Sequence, residues 1–347
     1  MRKITALPPE TLGSSLSRAR LLTGALSISC LGASPKPIRH RPYVRAVSPK
    51  PLATGLAFVT CTGSNTIAVI DLASTRVVRQ IALDGVPSRI VYDGNRRRVY
   101  VALFAANVVA AHDVATGRIV GAFKTGEGPG AMALSDDASR LYVANTIAGT
   151  VSAIDLDGGR TVGTAIVGAH PDDIVFDSRT KRLVLVNGGS GTLSLVATND
   201  DRLVATTLRV DPSATALAAS ADGSTAYVAN GNAGTISVVD LGVRRVVATV
   251  DGLRQPRSLT IAGERLIVAE AKSASLAVID IRTAAILERI PVGREPLAVR
   301  ANVSSDRLFC VSYESGSFAI VDATHARATR FTDRLAKPRD VAIAIAT

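Results

Sequence analysis

The chain has 347 residues, of which 47% are hydrophobic and 20% charged, enough apolar content for a large core and too much for a disordered protein. No apolar run reaches the roughly 18 residues of a membrane-spanning helix, and three Cys are too few for a disulfide-dense scaffold. The net charge of +11 is concentrated at one end: residues 1–51 hold nine Lys/Arg and one acid, and residues 52–347 are close to balanced, so nucleic acid is not an expected partner.

Residues 1–33 read as a signal peptide. Arg18 and Arg20 precede the uncharged stretch Leu21 to Ala33, which ends on the small residues Gly32 and Ala33. A tail without structure, or a misassigned start, is the alternative. Cys30 is a weak match to a lipid-attachment box. Residues 34–52 are rich in Pro and basic residues, the composition of a semi-rigid solvated linker.

Residues 53–347 repeat with a period of about 42. An Asp ends an apolar run at Asp71, Asp113, Asp155, Asp240, Asp280 and Asp322, and a degenerate copy with Ala197 fills the one double-length gap. A Pro recurs independently at Pro87, Pro129, Pro171, Pro212, Pro256, Pro296 and Pro338. Both markers count seven. Each copy holds four short apolar runs divided by Gly/Asp/Asn/Ser clusters; in the Pro129 copy they are 131–135, 141–145, 150–155 and 160–167. Runs this short between turn residues are strands. Four antiparallel strands per repeat of this length is a WD40-like propeller blade. The expected fold is therefore all-β: a seven-bladed β-propeller with four antiparallel strands per blade. The repeats start at a second strand (56–60) and end on a first strand (340–346), so the C-terminal strand should close the N-terminal blade. Tyr43 to Ser48 is a rival first strand.

The segments Tyr142-Val143-Ala144-Asn145 and Tyr227-Val228-Ala229-Asn230, each followed by Gly-Thr-(Val/Ile)-Ser and a (Val/Ile)-Asp, resemble the YVTN-repeat β-propeller family over residues 53–347. The resemblance implies a seven-bladed propeller, commonly exported, that serves as a binding scaffold with no single activity. With the leader it gives a periplasmic or secreted protein, expected to be a monomer, whose partner is a protein or a small-molecule or polysaccharide ligand.

The six repeated Asp sit where a strand enters a turn and read as turn caps rather than metal ligands. No CxxCH, HExxH, GxSxG or phosphate-binding Gly loop occurs, and neither a cofactor nor a metal is expected. Cys61 and Cys310 fall on second strands of neighbouring blades and read as buried inert thiols. In a four-stranded blade the loop before the first strand and the loop between second and third lie on one face. The first kind carries the prolines, and it brings Arg89, His170, Asp172, Asp173, Gln255, Arg257, Glu295, Lys337, Arg339 and Asp340 to one mouth of the channel. The second kind carries Asn145, Asn187, Asn230, Glu270, Tyr313 and Glu314. This face is the candidate ligand or partner surface, since loops on a rigid scaffold carry function. A merely solvated loop face with weak surface ion pairs is the alternative. Arg96, Arg97 and Arg98 lie on the opposite face. The runner-up function is a lactonase-like hydrolase at the same mouth, which needs His170, an acid and an Arg to meet over a carbonyl.

Overall fold

The computed structural model describes residues 55–198, 203–302, 304–325, 327–332 and 334–345. The leader, the linker and the rival strand at Tyr43 to Ser48 lie outside these residues. The described chain forms seven four-stranded antiparallel sheets. In the Pro129 copy the strands are Pro129–Leu134, Arg140–Asn145, Thr150–Asp155 and Arg160–Ile166, within one or two residues of the sequence reading.

The innermost strands are Pro338–Ile345, Pro87–Asp93, Pro129–Leu134, Pro171–Asp177, Ala214–Ala219, Pro256–Ala262 and Pro296–Ala301, here blades 1 to 7 in that order. Each touches the innermost strand of the next blade, and blade 7 touches blade 1, so the ring is closed. Blade 1 is completed by the C-terminal strand, which pairs antiparallel with Gly55–Cys61 from Gly55↔Ile345 to Cys61↔Pro338. That pairing removes the sheet edge the first blade would otherwise expose.

Seven apolar clusters fill the seven interfaces between blades. Middle strands are covered on both faces, which is why they are unbroken apolar runs: Phe58 packs toward blade 2 and its neighbour Val59 toward blade 7. Alanines such as Ala57, Ala102, Ala144, Ala229 and Ala277 are fully buried there, and their small side chains let the sheets approach. Outermost strands such as Arg76–Ala82 are largely exposed.

The repeated Asp residues do cap turns. Asp71 accepts the Ser74 N–H at 2.8 Å, Asp113 that of Thr116 at 2.7 Å, and Asp155 that of Gly158 at 3.1 Å. Asp240, Asp280 and Asp322 accept those of Gly242, Thr283 and Thr324 at 2.8, 2.7 and 2.9 Å. The acceptor two or three residues before the donor fixes a tight turn that would otherwise leave amides unpaired.

Candidate functional site at the proline-side mouth of the channel

Every innermost strand begins with a β-bulge. Pro171 pairs with Asn187 and Asp173 with Val186, so Asp172 has no partner. The same skip leaves Thr215, Arg257, Leu297 and Arg339 unpaired in blades 5, 6, 7 and 1. In blades 2 and 3 it spans Ser88–Arg89 and Gly130–Ala131. A bulged residue leaves the ladder and its side chain is re-aimed. All of these residues, one or two from every blade, line a single cavity of about 520 Å³, which is therefore the channel mouth. Phe104, Thr146, Glu295 and Tyr313 complete the wall.

Two neutral members are committed to the scaffold. Ser88 Oγ donates to the Pro129 carbonyl of the next blade at 3.0 Å, and Thr146 Oγ1 to the Pro171 carbonyl at 3.1 Å. The charged members are Arg89, Asp172, Arg257, Glu295 and Arg339, and among the described residues no two of them form a salt bridge with each other. Arg257 Nε is buried without a hydrogen-bond partner. Burial pushes the Asp172 carboxyl above the usual range, against the opposing pull of His170 and Arg89. Arg339 retains solvent contact, yet it stands within the protein-walled mouth, and burial together with the like charge of Arg89 holds its pKa below the usual arginine range.

Below the mouth lies a second cavity of about 360 Å³, lined by residues from all seven blades; Arg89 and Ala131 border both. Asp173 and Asp340 point here rather than to the mouth. Asp340 Oδ2 accepts the Ile90 N–H of blade 2 at 3.2 Å, and its Oδ1 takes Arg300 Nη2 at 3.1 Å. Asp173 Oδ2 accepts the Leu217 N–H of blade 5 at 3.0 Å. Ser258 Oγ accepts the Val299 N–H at the same position in blade 6, 3.2 Å away. These three residues tie neighbouring blades together inside the channel.

Four proposed site residues immediately precede a repeat proline: His170, Gln255, Glu295 and Lys337. All four have left-handed backbones, φ 50, 58, 55 and 55°. Their carbonyls accept the N–H groups of Gly188, Ala271, Tyr313 and Thr62 at 2.9, 3.0, 2.9 and 3.0 Å. Their shared task is to join the two loops of the face. Glu295 also reaches the cavity wall. His170 lies against Gly189, Lys337 Nζ stands 4.7 Å from the Tyr313 ring centroid, and neither they nor Gln255 line the cavity.

The second set of loop residues differs from expectation. Asn145, Asn187 and Asn230 are buried rather than displayed on the face. Each side-chain NH₂ donates to a Thr and a Ser on the next strand, as Asn145 does to Thr150 and Ser152, both at 2.9 Å. Glu270 holds the same place in blade 6, fully buried, and accepts Arg289 Nε at 2.8 Å and the Arg254 N–H at 2.8 Å. On the opposite face, Arg96 is a tie between blades: it bonds Asp93 at 3.2 Å and the Ala138 carbonyl at 2.6 Å. Thr215 and Leu297 went unnoticed in the sequence. Blade 5 begins two residues after Pro212, because Asp211 caps a turn through the Ser213 N–H at 2.7 Å. The residue after Pro212 is therefore not the bulged one.

Cys61 and Cys310 are free, buried thiols in different interfaces, and burial pushes Cys310 up to about 12. Among the described residues no three His, Cys, Asp or Glu side chains form a metal-binding group. No helix among them is long and apolar enough to cross a membrane.

No protein-family model and no curated protein matches the chain. Solved structures do. Hydrazine synthase of Kuenenia stuttgartiensis is 17% identical with a TM-score of 0.63, covering 68% of this chain and 76% of that one. Dihydro-heme d1 dehydrogenase NirN, solved in complex with DHE, is 15% identical with a TM-score of 0.64, covering 84% of this chain and 66% of that one. A functionally unknown protein from Desulfotomaculum acetoxidans is 11% identical with a TM-score of 0.73, covering 85% of this chain and all of that one. At these identities the likeness shows the propeller fold alone.

Proposed function

We propose that the chain is an exported binding propeller whose ligand sits at the proline-side mouth. One observation carries the reading: the bulged residues of all seven blades converge on one cavity of about 520 Å³ whose charged members form no ion pair with one another. A concave site with a few convergent polar groups on a rigid frame is where ligands bind. Export rests on the leader at residues 1–33. The hydrolytic reading is less favoured, because the imidazole of His170 lies outside the cavity wall.

The test is native mass spectrometry of protein recovered from its own compartment, read for retained mass. Asp172→Ala/Arg257→Ala/Arg339→Ala should lose the retained ligand with little change in melting, since none of the three side chains supports a neighbouring blade. Arg179→Ala/Arg282→Ala, exposed on turns of the opposite face, should keep it. The reverse pattern would place the binding face on the other side of the disc.

A further inference from the structure

Several half-buried arginines elsewhere in the chain are satisfied: Arg289 meets Glu270 at 2.8 Å, Arg182 Nη2 donates to the Gly223 carbonyl at 2.7 Å, and Arg300 meets Asp340 at 3.1 Å. The mouth differs. Arg89, Arg257 and Arg339 make no salt bridge or side-chain hydrogen bond among the described residues, although Asp172 and Glu295 share their cavity. Asp172 is drawn aside, its carboxylate lying against the Gly188 backbone. Arg339 and Arg89 stand on adjacent blades and repel each other. Arg257 stands across the ring, on blade 6, with its buried Nε unpaired.

Left unpaired, the half-buried guanidinium groups of Arg89 and Arg257 cost stability, while Arg339 is exposed. They persist to advantage only where something negative completes them. A guanidinium presents a planar fork that grips a carboxylate or phosphate through two hydrogen bonds. Arg89 and Arg339, on adjacent blades, can close on one such group, whereas Arg257, three and two blades away from them, calls for a second. A volume of about 520 Å³ is that of a small-molecule pocket.

Building on the mouth reading above, we infer that the ligand is a small molecule bearing at least two oxyanion groups, carboxylate or phosphate, held by Arg89, Arg257 and Arg339. The two acids of the wall accept hydrogen bonds from its hydroxyl or amino groups.

The test uses the purified full chain at fixed ionic strength. Isothermal titration and thermal shift are run with citrate, fructose 1,6-bisphosphate, fructose and a hexaglutamate peptide. Saturable binding of citrate or fructose 1,6-bisphosphate, but not fructose, is expected, and which of the two binds identifies the oxyanion. Arg257→Gln and Arg339→Gln should each weaken it by about tenfold or more, Arg257→Lys by less, and Arg179→Gln/Arg282→Gln not at all. Without ligand, Arg339→Gln should melt no lower than the parent, because it removes a repelled charge. No binding by either oxyanion, or binding that survives both mouth substitutions, overturns the inference. So does binding of hexaglutamate alone, which would make the occupant an acidic protein segment. Mouth-dependent retention of a native ligand without oxyanion binding would sink this inference and leave the mouth reading standing. Failure of both would sink both.

Discussion

Asp173 of blade 4 accepts, at its Oδ2, the backbone N–H of Leu217 in blade 5 over 3.0 Å. Its neighbour Asp172 is the bulged residue that lines the mouth, so consecutive carboxylates serve different ends. Burial raises the Asp173 carboxyl above the usual range, against the opposing charges of Arg89 and Arg300. A carboxyl whose folded pKa is raised binds its proton more tightly in the folded state. Folding is therefore favoured below the ordinary Asp value of about 3.9 and loses that advantage as pH rises through the folded value. Asp173→Asn keeps an acceptor for the Leu217 N–H and removes the charge, but its NH₂ replaces the Oδ1 that accepts the Ile174 N–H at 3.0 Å. Measured against the parent, its melting temperature should therefore stand higher at neutral pH than in acid, where the parent's carboxyl is protonated. A difference that does not change with pH would contradict this account.

The exposed turn acids work in the opposite sense. Hydrogen bonds from Ser135 and Ser220 hold Asp137 and Asp222 down at about 2. Their contribution is present above about pH 4 and is lost as pH falls through about 2. Asp137→Asn/Asp222→Asn should flatten the fall of melting temperature over that window. Circular dichroism melts at half-unit steps would show it, and an unchanged slope would refute it.

The buried Asn145 offers two hydrogen bonds and leaves its Oδ1 unpartnered. Asn145→Ala should cost about 1–3 kcal/mol in urea unfolding by leaving the polar groups of Thr150 and Ser152 short of a partner. Asn145→Asp should cost more at neutral pH, because a carboxylate here has no Arg such as Glu270 finds in Arg289, and it should recover in acid.

Removing Pro338 to Thr347 deletes the innermost strand of blade 1 and exposes the edge of Gly55–Cys61. Several ladder bonds at about 0.5–1.5 kcal/mol each rival the total stability of a domain, about 5–15 kcal/mol. The truncated chain should aggregate or lose its cooperative transition, read by size-exclusion chromatography and calorimetry. A monomer with unchanged melting would rule out this closure as a stabilising device.

Export predicts a processed N-terminus. Sequencing the protein from its native cell should start beyond the apolar stretch Leu21 to Ala33. Molecules that mostly begin at Met1 or Arg2 would exclude cleavage.

Blade count, strand order and the turn caps were legible in the sequence because each rests on local chemistry. An Asp accepts from an amide two or three residues on, a strand alternates its faces over two residues, and a proline recurs at one loop in each copy. The placement of the mouth on the proline side also followed, since a four-stranded meander sends alternate loops to alternate faces. The sequence did not separate Asp172 from Asp173 or Arg339 from Asp340. In each pair the bulge turns the first residue to the mouth, and the second faces the channel to bond an amide of the next blade. Nor did it bury the Asn residues at the second-strand ends, displace blade 5 by two residues, or leave Arg89, Arg257 and Arg339 unpaired around one cavity. Those outcomes depend on the skipped ladder position and on distances across a closed ring, between residues as far apart in the chain as Arg89 and Arg339. Only the assembled tertiary structure brings such groups within reach of one another.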